Sequence, residues 1–508
     1  MTSEPIEDQG LTAQEQGRDV SRTTWVLRAV GVVAAVAVWL ALGASDQLGN
    51  EARAVAAIAT LMAVWWTTEA VPLSATSLLP IVLLPALTSQ SVGEATAPYA
   101  SSIVFLFLGG FLIAIAMEKW ELHRRIALLV LRRVGVSPRR IILGMMIATG
   151  FISMWVSNTA TTLMMLPIGM SVLHLLVARS PGAAPATVAV DDPNVGRFGL
   201  CLLLSIAWSS SMGGLGTLLG SPPNAIVAGY VADELGREIS FLQWMVIGVP
   251  IAAIFIAVGW VLMTRVLYRF DLKELPGGRR MIDEQLRELG PMSRGEWMVA
   301  AVFCGAAFLW VVPGLLAQVP SLAFLDVFND TSVAIGAGVI LFLLPAAPGR
   351  AVLRWSDAEN GLPWGVLLLF GGGLSLASAV AATGLDSWLG LQVSGLGALP
   401  PLLLVGAVTL IVMLLTEVTS NTATAATFIP VLGGVAIALG IDPMLLLVPA
   451  AFAATCAFML PVGTPPNAIV FGTGNVTIGE MARGGIVLNV VGVILITLLF
   501  YLLFPLVF

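Results

Sequence analysis

Ser157-Asn158-Thr159-Ala160-Thr161 returns unchanged as Ser420-Asn421-Thr422-Ala423-Thr424. Each copy is followed by a second matching cluster. The first is Gly220-Ser221-Pro222-Pro223-Asn224-Ala225-Ile226-Val227, the second Gly463-Thr464-Pro465-Pro466-Asn467-Ala468-Ile469-Val470. In lipid, polar groups survive only where they are buried in protein or line a site. Two polar motifs repeated in one order within apolar surroundings imply an internally duplicated membrane carrier that works at the repeats.

The surroundings support this. The 508 residues are 58% hydrophobic and 11% charged, with a mean hydropathy of +0.95, whereas soluble domains run near a quarter charged. Eleven apolar runs are long enough to cross the bilayer or nearly so: about 24–42, 53–71, 74–89, 99–118, 198–233, 241–268, 296–318, 331–346, 363–384, 444–471 and 484–508. Two further apolar pairs, about 138–178 and 400–438, carry the Ser-Asn-Thr copies at their centres. Residues 1–23 are polar and acidic and read as a disordered cytoplasmic tail rather than a cleavable leader. Cys201, Cys304 and Cys456 all fall in apolar runs and read as small buried hydrophobes.

Orientation follows from the basic residues. Let the tail be cytoplasmic, each run cross once, and each Ser-Asn-Thr pair enter and leave on one side as a re-entrant hairpin. Of 24 Lys and Arg, only Arg53 and Arg237 then fall outside, as the positive-inside rule requires. Charge parity does not distinguish a hairpin from two full crossings. Trp25, Trp120, Trp244, Trp297, Trp355 and Trp388 sit near run ends, as belt tryptophans do. Glu121–Arg133 reads as an amphipathic helix on the inner surface with arginines toward headgroups, or as a simple topology signal. His123 and His174 read as solvated or capping, and Glu69 as an interfacial, structural residue.

The Ser-Asn-Thr copies are 263 residues apart and the Pro-Pro-Asn copies 243. The difference is accounted for by an insertion at Ser180–Gly196. Five predicted crossings separate the Ser-Asn-Thr copies, an odd number, so the second half is inverted. The expected division is a first half over 24–268, a charged cytoplasmic linker over 269–295 and a second half over 296–508. Inverted repeats place binding sites at their interface near the midplane, with interrupted helices aimed at the solute. Paired prolines supply the interruptions in 198–233 and 444–471, freeing carbonyls such as those of Gly220 and Gly463.

Hydroxyls of Ser157, Thr159, Ser420 and Thr422, amides of Asn158 and Asn421, and freed carbonyls are hard oxygen ligands suited to Na⁺. The same tips, as helix starts, offer N–H groups to an anion. Neither motif pair contains Lys, Arg or His, so anion binding depends on the bound cation. Glu417, three residues before Ser420, is a capping, pocket-lining or coupling carboxylate.

Ser153–Thr159, Gly220–Asn224, Thr416–Thr422 and Gly463–Asn467 together resemble the divalent anion–sodium symporters, which carry di- and tricarboxylates and in some members sulfate. The resemblance runs from about residue 55 to the end. It implies a homodimer of scaffold and transport parts, with hairpins from opposite faces and elevator-type movement. It also implies one Na⁺ at Ser153, Ser157, Asn158 and the Gly220 carbonyl, and another at Thr416, Thr419, Asn421 and Gly463. Carboxylates would meet Asn158, Thr159 and Ser221 from one half, and Asn421, Thr422 and Thr464 from the other.

The expectation is therefore an all-α, multi-pass plasma-membrane carrier that imports C4-dicarboxylates such as succinate, malate or fumarate with Na⁺ as coupling ion. A sulfate or citrate symporter and a sodium-independent dicarboxylate exchanger are the alternatives within that class. An anion channel would use the same architecture without coupling. An enzyme is disfavoured, since no His/Cys/Asp cluster with metal or nucleophile spacing occurs in the apolar runs.

Overall fold

The computed structural model describes residues 22–44, 48–177, 192–272, 277–316, 329–347, 349–392 and 399–508. Most of the acidic tail, most of the Ser180–Gly196 insertion and residues 273–276 of the linker lie outside the described residues. Among those described, regular structure is helical apart from one two-stranded hairpin, Pro345–Ala347 against Arg350–Ala351. Nine described helices are long and apolar enough to span a membrane. The chain is a multi-pass, all-α membrane protein.

The Ser-Asn-Thr motifs fall in short breaks between helices. Pro138–Ser153 stops and Asn158–Val177 begins, while Pro401–Thr416 stops and Asn421–Ala438 begins. Each first arm has 16 residues, about 24 Å at 1.5 Å per residue, short of the roughly 30 Å hydrocarbon layer. Neither first arm is therefore long enough to cross that layer on its own.

The Pro-Pro-Asn clusters break two further helices. Pro193–Gly214 gives way to a 3₁₀ turn at Leu218–Gly220 before Pro222–Leu235. Met444–Thr455 gives way to an irregular stretch before Pro465–Gly472. Ser221 and Thr464 are extended, with φ of −150° and −155°, as a residue before proline must be. The prolines then start the next helix where no N–H partner is needed.

Burial places these broken helices at the centre. Every residue from Phe198 to Gly214 is buried, as is every residue from Leu446 to Thr455. By contrast only Gly31 and Ala35 are buried in Arg22–Ala41. On Ile478–Leu503, the exposed residues Ile486, Val490, Ile494, Leu498 and Leu502 repeat every fourth position, one apolar stripe facing outward.

Long-range ion pairs join segments assigned to the same face. Lys119–Asp357, Arg125–Glu296 and Arg132–Asp283 join segments assigned to the inner face, and Arg237–Asp442 joins segments assigned to the outer face. Four local expectations are corrected. Trp244 is a core residue, 1% exposed, because its indole donates to Leu215 O and packs edge-on against Phe452. Arg125 turns inward to Glu296 rather than toward headgroups, through Nε–Oε1 at 2.7 Å and Nη2–Oε2 at 3.2 Å. His123 beside it is buried, bonded to Met117 O. Cys304 is exposed on the outer surface of the Arg294–Leu316 helix, whereas Cys201 and Cys456 are buried.

Candidate functional site

Each motif asparagine closes a small oxygen cage with its broken-helix partner. One amide terminus of Asn158 lies 2.6 Å from Ser153 Oγ, 3.0 Å from Ser210 O and 3.1 Å from Gly220 O. The matching terminus of Asn421 lies 2.8 Å from Thr416 Oγ1, 3.1 Å from Ala454 O and 3.2 Å from Gly463 O. An asparagine can present either end here. With Nδ2 inward its two hydrogens satisfy two of the three oxygens and close the cage. With Oδ1 inward, four oxygens converge with at most one hydroxyl proton to share, as when Ser153 donates to Asn158. A cation makes that second arrangement favourable, so the donor set fits a hard monovalent ion.

The cages are held by the Pro-Pro-Asn asparagines. Asn224 Nδ2 donates to Gly214 O and Thr217 O, both at 2.8 Å. Asn467 Nδ2 donates to Ala457 O at 3.1 Å and Leu460 O at 3.0 Å. Donors and acceptors both obey the 243-residue offset, so one turn is built twice. Gly214 is required where it is: a Cβ would lie 2.7 Å from Asn158 Oδ1 and 3.0 Å from Gly220 O.

The remaining motif residues divide in two. Thr159 and Thr422 are half-buried in the first turns of their helices and make no side-chain hydrogen bond among the described residues. Thr464, 3% exposed, is equally uncommitted. Ser221 Oγ meets Thr455 Oγ1 at 2.9 Å. These hydroxyls stand at the starts of helices whose N–H groups favour an anion. Two assigned residues turn elsewhere. Ser157 Oγ accepts Ala160 N–H at 3.3 Å as a helix cap, and Thr419 Oγ1 donates to Leu415 O at 2.9 Å. Neither hydroxyl enters a cage.

Sequence reasoning missed Ser210, Ala454 and Thr455. The first two give only carbonyls, which any residue type carries. Thr455 is a single hydroxyl in an alanine-rich run. Two surface cavities, one lined by Arg237, Gln243 and Phe508 and the other by Arg139, Arg197 and Arg265, lie away from the motifs.

The pattern of the sodium:sulfate symporter transmembrane region matches residues 22–508. The chain belongs to this family. Among its relatives is the sodium-dependent dicarboxylate transporter SdcS of Staphylococcus saprophyticus, 43% identical over 91% of this chain and 88% of the relative. SdcS of Staphylococcus aureus strain MRSA252 is 43% identical over 89% and 86%. The family resemblance drawn from the motifs therefore holds. Two solved transporters share the fold. The YdaH transporter of Alcanivorax borkumensis has a TM-score of 0.57 at 15% identity, over 88% of this chain and 98% of that one. MtrF of Neisseria gonorrhoeae has a TM-score of 0.53 at 12% identity, over 96% of each.

Proposed function

We propose that this protein is a secondary active symporter that imports C4-dicarboxylates such as succinate, malate and fumarate with Na⁺. The observation that carries the reading is the pair of cages around Asn158 and Asn421, alike in atom type and arrangement. The names of the SdcS relatives support the choice of sodium and a dicarboxylate.

In this reading Ser153, Asn158, Ser210 O and Gly220 O hold one Na⁺, and Thr416, Asn421, Ala454 O and Gly463 O hold the other. Each ion draws an Asn Oδ1 inward, which turns Nδ2 outward as a donor toward the carboxylates. Thr159, Ser221, Thr422 and Thr464 supply hydroxyl donors from both halves. The dianion is then bound by two cations, four helix starts and neutral donors, which makes its affinity depend on sodium. The carrier works in the plasma membrane as a homodimer, its amino terminus cytoplasmic, the motif-bearing part moving like an elevator against a scaffold.

The test is uptake of labelled succinate into proteoliposomes under an inward Na⁺ or K⁺ gradient. Accumulation above equilibrium with Na⁺ alone is expected, with malate and fumarate competing better than citrate or sulfate. Equal uptake in K⁺, passive dissipation of a succinate gradient, or stronger competition by sulfate would each refute it.

A further inference from the structure

Glu417 has no counterpart in the first half. It follows Thr416, whereas Met154 follows Ser153 at the matching position. Its side chain is 3% exposed. The carboxylate accepts the backbone N–H groups of Phe458 at 2.8 Å, Met459 at 2.9 Å and Leu460 at 3.3 Å, and Asn489 Nδ2 at 2.6 Å. All four partners donate. A protonated carboxyl would need an acceptor for its own hydrogen, so the arrangement suits an ionised group. Among the described residues no Lys, Arg or His forms an ion pair with it. A buried charge without a countercharge is strongly disfavoured.

Its position explains what supplies the countercharge. Phe458–Leu460 lies between Ala454 and Gly463, the two residues that give carbonyls to the second cage. The Glu417 backbone abuts Gly463, where a Cβ would stand 2.9 Å from Glu417 O. The corresponding stretch of the first half is held by neutral bonds only, from Trp244 Nε1 to Leu215 O at 3.0 Å and from Thr217 to Met154 O. Both cages offer four neutral oxygens, and Glu417 adds a formal charge to the second. In a low-dielectric interior that charge is weakly screened.

We propose that Glu417 is a positioning residue for the second cage and its fixed countercharge, so that this cage takes its cation first. The proposal rests on the sodium-coupled reading above. The carboxylate clamps the irregular stretch with its carbonyls turned to the ion, and its charge raises affinity for that ion. The neutral first cage fills later, with the dianion nearby.

Two measurements test it: the rise in melting temperature of purified protein between KCl and NaCl without substrate, and sodium activation of succinate uptake in proteoliposomes. Glu417→Gln should need about tenfold more NaCl for half-maximal effect in both, with the succinate KM at saturating sodium changed less than about twofold. Glu417→Asp keeps the charge but cannot reach all three N–H groups, and should stay within about threefold of the parent. A sodium requirement unmoved in E417Q, or moved as far in E417D as in E417Q, overturns the proposal. If E417Q does not fold, E417D decides instead: a sodium requirement within about threefold of the parent is expected, and one raised about tenfold or more overturns the proposal. Parent protein indifferent to NaCl over KCl in both measurements would instead refute sodium coupling itself, and this proposal with it.

Discussion

Ser221 and Thr455 touch, hydroxyl to hydroxyl at 2.9 Å, although 234 residues separate them in the chain. The residues just before them, Gly220 and Ala454, give carbonyls to the first and second cage respectively. One hydrogen bond thus joins the two halves between the two cation cages. Thr455 Oγ1 also donates to Ala451 O at 3.1 Å, which leaves Ser221 as the donor in the pair. The proton that a substrate carboxylate needs from Ser221 is therefore committed to Thr455 until the anion arrives.

Thr455→Val removes that competitor and leaves a buried Ser221 hydroxyl, 1% exposed, without its acceptor. A hydrogen bond nets about 0.5–1.5 kcal/mol, so the succinate KM should fall roughly two- to tenfold at saturating sodium. Ser221→Ala should raise it by a similar factor. Initial uptake rates against succinate concentration decide this, and a higher KM in the valine variant would show that Thr455 assists binding instead.

Asn158→Ala or Asn421→Ala removes the one group that can serve either as cation ligand or as amide donor to the cage oxygens. Hydrogen bonds to charged groups are worth about 1.5–3 kcal/mol. Sodium requirement and substrate affinity should therefore both worsen, each by roughly tenfold or more. Sodium activation curves and substrate titrations on the same vesicles check it. Normal values of either parameter in either variant would break the shared-ligand scheme.

The repeat, its proline interruptions and the asparagines were legible because they are side-chain patterns. Asn158 and Gly220, Asn421 and Gly463 meet as the motifs imply. The carbonyls of Ser210 and Ala454 were not, since the backbone leaves no mark in residue type. Ser157 and Thr419 stand at helix ends where local carbonyls and N–H groups claim short hydroxyls first. Trp244 carried the composition of a belt tryptophan, and only the fold reveals Leu215 O as its acceptor. Arg125 looked like surface charge for a similar reason, because its partner Glu296 lies 171 residues away.

Gly214→Ala tests the first cage sterically. The added Cβ would stand 2.7 Å from Asn158 Oδ1 and 3.0 Å from Gly220 O, and such overpacking costs about 1–3 kcal/mol. Succinate uptake should drop at least about fivefold. Gly305→Ala is the control, since a Cβ there meets nothing within 4 Å. Loss in both, or in neither, would separate the effect from the cage.

Arg125 and Glu296 form a buried two-point pair, with side chains 10% and 6% exposed. Arg125 Nη1 also donates to Gly290 O at 3.0 Å. Removing one member strands the other, at about 3–5 kcal/mol. Arg125→Met and Glu296→Leu should each lower the melting temperature more than the double variant does. A double variant that shows the summed loss of the singles would mean the pair is not coupled.

His123 gives this region a pH response. Burial pushes its imidazole below the ordinary value of 6.5, against the opposing pull of the Met117 carbonyl and the Glu121 charge, while Arg124 adds to the lowering. Below about 6.5 the unfolded chain takes up a proton that the folded protein resists, so stability present above that pH is lost as pH falls through the lowered value. His123→Asn retains an N–H to offer Met117 but does not titrate. Melting temperatures measured between about pH 7.5 and 5.5 should fall more steeply for the parent than for this variant. Parallel slopes would mean that the buried imidazole takes no part in the acid sensitivity of the helix Leu122–Val134.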